Sequence, residues 1–199
     1  MPERKNVRGA ISAFEAAFGV DRTDVQLLIK VSNLDSHNEF SDFLMEKAAT
    51  NPSIKLMSRY LDRQHIFELL QLIDCFVSLH RSEGFGLGIA EAMLLAKPVI
   101  STNWSGNEDF CNPENSLPVD YDLITLDADH GPYKRGQTWA DPSVSHAASL
   151  MQRVLDDREA ATHVGRKAAR DIGEMLSPEH IGQLLRNRLD EVHARLNAG

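Results

Sequence analysis

A doubly wound α/β fold with a parallel sheet is predicted by three features of the sequence. Apolar, β-branched runs alternate with segments of helical spacing between residues 8 and 102. Those runs are near-continuously apolar, as strands covered by helices on both faces must be. Strand-like segments then stop at about residue 140, leaving a helical C-terminal third.

Taken in order, Arg8 to Phe18 places Ile11, Phe14, Ala17 and Phe18 on one helical face. The run Val25-Gln-Leu-Leu-Ile-Lys-Val31 predicts a strand, Asp35 to Ala49 a helix and Ile54 to Met57 a short strand. Leu61 to Leu72 reads as a helix with Asp62 as N-cap. Cys75 to Leu79 predicts a strand, Leu87 to Ala96 a helix and Pro98 to Thr102 a strand. Asp141-Pro142 is expected to open one late helix and Ser177-Pro178-Glu179 another, each with a capping residue before a proline. The last helix carries apolar residues at helical spacing from Ile181 to Leu196.

The 199 residues suit a single domain, a core over residues 1–140 followed by C-terminal helices over 141–199, and 42% hydrophobic residues suffice for a packed interior. A net charge of -8 argues against nucleic acid or an anionic membrane surface as partner. Cys75 and Cys111 form no CxxC pair, and Cys75 lies in an apolar run where it reads as a small hydrophobe. No apolar run is long enough to span a membrane, and the first residues are charged rather than signal-like. A reducing, cytoplasmic setting is expected. A helix follows Met1-Pro-Glu-Arg4 almost at once, whereas doubly wound sheets usually begin with a central strand. The first central strand is therefore expected to be missing, as in a piece of a longer protein.

Residues 74–96 carry the chemistry. A buried strand feeds a turn with Gly84, Gly86 and Gly88, which feeds a helix. Such a turn aims unpaired backbone N–H groups and the positive end of a helix dipole at one spot, and suits a diphosphate. Glu83 and Glu91 bracket it. A carboxylate repels phosphate, so each is better suited to accept hydrogen bonds from hydroxyls: Glu91 from a ribose, Glu83 from a sugar beyond the phosphates. His80 and Arg81 fall at the carboxyl end of the strand, where open α/β sheets bind ligands. His80 reads as structural rather than as a base, and Arg81 either contacts phosphate or orders Glu83. Asp127, Asp129 and His130 read as a solvated loop rather than as a metal site.

The stretch Glu83-Gly-Phe-Gly-Leu-Gly-Ile-Ala-Glu91 resembles the E-x7-E motif of glycosyltransferase family 4, retaining enzymes of GT-B fold. Glu91-Ala-Met93, Lys97-Pro-Val-Ile100 and Trp104-Ser-Gly-Asn-Glu-Asp109 resemble its flanks, with Ala96 replacing the usual glycine. Arg4-Lys5-Asn6 resembles the segment whose lysine binds the donor diphosphate. The likeness covers nearly the whole chain as the C-terminal, Rossmann-like half of such an enzyme. It implies catalytic roles for Glu83 and Lys5. It implies donor binding by the backbone through Gly84, Phe85, Gly86, Leu87 and Gly88, by Glu91 on the ribose and by Arg81. The base would be read around Arg59-Tyr60-Leu61, with Leu61 in contact. The donor would be a GDP- or UDP-linked sugar, and no metal or other cofactor is implied. Residues 102–141 resemble bacterial mannosyltransferase-type members that build surface polysaccharide. A glycan or lipid-linked acceptor, with any peripheral membrane contact, would belong to the absent N-terminal half. Donor binding, not catalysis, is expected of this chain alone.

Three other functions compete. A dinucleotide-binding oxidoreductase domain would carry G-x-G-x-x-G, but the glycines here fall as G-x-G-x-G. A glycosidase would hold two carboxylates about 5–9.5 Å apart. Eight residues of helix would separate Glu83 and Glu91 by roughly 12 Å of rise. A non-catalytic GT-B half within an assembly is the third.

Overall fold

The computed structural model describes residues 2–31, 34 and 38–197. The chain runs α1 (Pro2–Lys5), α2 (Val7–Phe18), β1 (Leu27–Val31), α3 (Glu39–Thr50), β2 (Ile54–Ser58), α4 (Arg63–Leu72), β3 (Phe76–Ser78), α5 (Leu87–Leu94) and β4 (Val99–Thr102). It continues through β5 (Leu117–Val119), β6 (Tyr121–Thr125), β7 (Thr138–Pro142), α6 (Val144–Asp156), α7 (Arg158–Met175) and α8 (Pro178–Asn197). The expected start of the third helix at Asp35 lies outside the described residues. Asp62 caps α4 as expected, its carboxylate accepting from the His65 N–H at 2.9 Å.

The strands pair in parallel, β1 with β2 and β3 with β4 with β5. Two cores lie on opposite faces. Ile100 of β4 joins α2, α3 and α6 residues, among them Ile11, Phe14, Leu44 and Leu150. Its neighbour Val99 joins α4, α5 and α7 residues, among them Leu70, Met93 and Ile172. Adjacent strand residues point to opposite faces, so β4 is buried on both, as all four of its residues are. This is the predicted doubly wound arrangement. The sheet is divided, however: β1–β2 and β3–β4–β5 are separate hydrogen-bonded units. Burial raises the Cys75 thiol to about 12 and the Cys111 thiol to about 11, so both stay protonated and behave as small hydrophobes.

Three expectations are corrected. Asp141-Pro142 does not open a helix: both residues end β7, and the cap of α6 is Ser143, whose hydroxyl accepts from His146 N–H. The region after Thr102 also holds strands that the pattern did not reveal: parallel β5 and the antiparallel β6–β7 pair. The β6–β7 ribbon is exposed along much of β6, so it lacks an apolar signature, and it is anchored by Trp139, 2% exposed. Finally, the helical third comprises three helices, because Asp157 ends α6 and caps α7.

Ala96, where the resemblance has glycine, adopts φ 57°. The left-handed region costs an alanine roughly 1–2 kcal/mol, part of which glycine's freedom in the unfolded chain cancels. Gly165 of α7 packs on this turn so closely that a Cβ would overlap the Ala96 carbonyl. Urea unfolding is therefore expected to show Ala96→Gly stabilised by up to about 1 kcal/mol. Gly165→Ala should be destabilised by about 1–3 kcal/mol.

Candidate functional site

The predicted site residues fall into two groups, Lys5 with Glu83 at the exit of β3, and Glu91 and Leu61 on either side of Arg63 at the start of α4. Residues 79–86 leave β3 and turn into α5 at Gly86. Gly86 is the N-cap of α5, with φ 91°, and no side chain caps the helix. Glycine adopts that angle without penalty, and leaving out the usual Ser or Asp cap keeps the first N–H groups of α5 available. Leu87 at the first helical position is exposed, and Gly84 has open space where a side chain would stand. Phe85 is 41% exposed and packs beside Phe110, with ring centroids 5.1 Å apart. Gly88 faces inward against the Phe76 ring.

A second loop, residues 103–110, braces this turn. Glu83 N–H donates to Ser105 Oγ at 2.8 Å, and Gly106 N–H donates to the Glu83 carbonyl at 3.2 Å. A Cβ at Gly106 would collide with the Gly84 carbonyl, so the close approach requires glycine there. His80, fully buried, ties both loops together. Its Nε2 lies 2.9 Å from Asn107 Oδ1 and 3.1 Å from the Trp104 carbonyl, both acceptors, so Nε2 carries the proton. Nδ1 then accepts from the Ser78 hydroxyl at 3.0 Å. Burial, opposed by its hydrogen bonds, holds the imidazole below its ordinary range and therefore neutral. Both ring nitrogens are used, so His80 is an anchor.

The N-terminal turn lies against the same place. Arg81 N–H donates to the Arg4 carbonyl at 2.8 Å, which fixes α1 on the strand exit. Lys5 Nζ then pairs with Glu83, and Arg4 Nη1 lies 3.1 Å from the same carboxylate oxygen and donates to the Ser82 carbonyl at 2.6 Å. Burial would raise the Glu83 carboxyl, but Lys5 and Arg4 outweigh it and hold it below the usual carboxylate range. The structure thus brings Lys5 and Glu83 together and adds Arg4, whose side chain the sequence reading had not assigned to the site. Its signal was adjacency to Lys5, but only the α1 turn, ended by Asn6 in a left-handed conformation, shows that both cations reach one spot. Arg81 faces elsewhere: its guanidinium pairs with Asp141 of β7 at 2.9 Å and donates to the Glu3 carbonyl.

Glu91 stands on α5, its side chain 15% exposed, 3.4 Å from Arg63 at the start of α4. Just before Arg63, residues Arg59 to Asp62, with His65, line an open cleft of about 310 Å³. Leu61, expected from the resemblance to contact the base, is part of that wall. Asp129 is occupied by Lys134 and the Arg135 N–H, a loop-internal arrangement.

A doubly wound domain whose glycine turn opens an uncapped helix, with two cations and two carboxylates nearby, defines the class of Rossmann-like α/β domains. The model of the family described as glycosyl transferases group 1 matches residues 1–124, and the chain belongs to that family. No curated protein matches it. Among solved structures, Anabaena HepE in complex with UDP and glucose superposes with a TM-score of 0.70 at 16% identity, over 94% of this chain and 45% of HepE. Sucrose-phosphate synthase from Thermosynechococcus elongatus gives 0.67 at 17% identity, over 96% of this chain and 43% of that one. The C-terminal domain of LpcC, a glycosyl transferase group 1 family protein from Francisella tularensis, gives 0.63 at 16% identity, over 88% and 81%. The chain thus spans less than half of the first two proteins and most of the third. At these identities the likeness establishes the Rossmann-like fold of GT-B domains.

The site makes a prediction about acid. An unfolded histidine gains its proton near pH 6.5, before buried His80 does, so stability falls as pH drops below about 6.5. The Glu83 pair contributes fully above the ordinary carboxylate value, about 4.3, and is lost as pH falls through the lower folded value. Urea midpoints against pH should therefore fall in two stages. Glu83→Gln should cost about 1–2 kcal/mol at neutral pH, limited by the half-exposed Lys5, and should flatten the lower stage while keeping the upper one, which the lost Glu83 charge deepens slightly through His80. An unchanged lower stage in Glu83→Gln would contradict the pairing.

Proposed function

We propose that this chain is the donor-binding domain of a retaining glycosyltransferase, taking a hexose from a nucleoside diphosphate. The observation that carries this reading is the uncapped N-terminus of α5 between Lys5 and Arg4 on one side and Glu91 on the other. In the proposed complex the amides of Leu87 and Gly88 hold the diphosphate, Glu91 accepts from the ribose hydroxyls, and the cleft around Tyr60 and Leu61 receives the base. Lys5 turns from Glu83 to the phosphates as they arrive, and Glu83 turns to the hydroxyls of the sugar. Arg81 acts through α1, which its backbone N–H and guanidinium hold at the exit of β3.

The reaction breaks the bond between the anomeric carbon and the diphosphate oxygen. An acceptor hydroxyl attacks that carbon from the same face and its proton passes to the leaving diphosphate. Arg4, Lys5 and the α5 dipole supply the positive charge that the leaving group needs, so we propose a transfer that requires no metal. GDP-mannose is the donor suggested by the resemblance of residues 102–141, and UDP-linked glucose is suggested by HepE, crystallised with UDP and glucose. The acceptor, a glycan or lipid-linked glycan of a surface polysaccharide, is assigned to a separate half, and the reaction to the cytoplasm.

The test is thermal unfolding with GDP, UDP, ADP and NAD, each with and without Mg²⁺. A nucleotide at 100 times its dissociation constant adds about 2.7 kcal/mol. One nucleoside diphosphate should stabilise the chain independently of Mg²⁺, and Glu91→Ala should weaken that response. Stabilisation by NAD alone would replace this reading with a dinucleotide-binding one.

A further inference from the structure

We propose that Arg63 is a positioning residue that aims the Glu91 carboxylate at the ribose and links recognition of the ribose to that of the base. The inference rests on the donor-site reading above. Arg63 occupies the first position of α4, directly after the N-cap Asp62. A cation at a helix N-terminus opposes the dipole, so local helix energetics do not explain an arginine here. Two contacts outside the first turn hold it: its guanidinium lies over the Phe67 ring, 5.2 Å from the centroid, and Nη2 is 3.4 Å from Glu91 Oε1.

The pair is asymmetric. The Glu91 side chain is 15% exposed and that of Arg63 is 73% exposed. Among the described residues Arg63 is the only cation within ion-pair distance of Glu91. An exposed pair of this kind contributes little to stability, about 0–1 kcal/mol. Its effect is geometric: it fixes which oxygen of a largely enclosed carboxylate faces outward. The residues before Arg63 are those that wall the cleft assigned to the base. One side chain thus joins the base-reading loop on α4 to the ribose-reading acid on α5. Displacing the loop displaces the acid.

The experiment is calorimetric titration of the full chain with UDP and GDP and with their 2′,3′-dideoxy counterparts, for wild type, Arg63→Ala and Arg63→Lys. Wild type should prefer the ribonucleotide about 10- to 100-fold, the loss expected for hydrogen bonds to a charged group. Arg63→Ala should shrink that preference to about threefold or less, with Arg63→Lys in between, while the melting temperature of the ligand-free chain hardly changes. A full ribose preference in Arg63→Ala overturns the inference. So does an equal loss of affinity for both nucleotides, which would make Arg63 a direct or long-range contact. Wild type that binds none of the four ligands overturns the donor-site reading itself, a different result from either.

Discussion

The neutral imidazole of His80 is the constraint on which the site depends. It is fully buried at the exit of β3, donating to Asn107 and Trp104 and accepting from Ser78. Asn107 passes the restraint on by donating to the Thr102 carbonyl at 3.0 Å, so the 103–110 loop is tied to the end of β4. With that loop fixed, Ser105 and Gly106 close on residues 83–84 and the glycine turn has one available shape. A charged imidazole would reverse the Ser78 contact, Nδ1 donating to the hydroxyl oxygen, but burial disfavours its charge and keeps the neutral pattern.

The second requirement is electrostatic. The chain carries a net charge of -8, so its long-range field repels an anion. The local charge at the glycine turn is of the opposite sign: Arg4 and Lys5 meet there beside the uncapped N-terminus of α5, and this is what would favour the proposed diphosphate. In the ligand-free chain the Glu83 carboxylate neutralises part of this charge. In the proposed complex a diphosphate would replace Glu83 as the partner of Lys5, and Arg4, 3.1 Å from the same oxygen, would remain beside the largely buried Glu83 carboxylate. The exposure of Lys5, 49%, makes that exchange sterically simple.

Much of this was legible in the sequence, and the rest fails for identifiable reasons. The strand, glycine turn and helix over residues 74–96 could be read because burial on both faces writes a continuous apolar run and the glycines punctuate it. The Asp62 cap and the structural role of His80 followed from residue types, whereas Lys5 was assigned to the site through the resemblance of Arg4-Lys5-Asn6, with no sign that it would pair with Glu83. The β6–β7 ribbon escaped because exposed strands lack an apolar period, and its anchor, Trp139, comes from a single residue. Asp141-Pro142 misled because an acidic residue before proline is a helix-start signal that also suits the end of a strand at a sheet edge. Arg4, Arg63 and the outward turn of Arg81 toward Asp141 are tertiary facts: each pairs residues at least 28 positions apart, and no local pattern encodes them.

The most direct measurement is an amide correlation spectrum of the ¹⁵N-labelled chain titrated with inorganic pyrophosphate, which removes base and sugar from the question. The largest shifts should fall on the N–H groups of Phe85, Leu87 and Gly88, with smaller ones at Arg4 and Lys5. Shifts centred on another part of the surface, or none at the α5 tip at saturating pyrophosphate, would contradict the account.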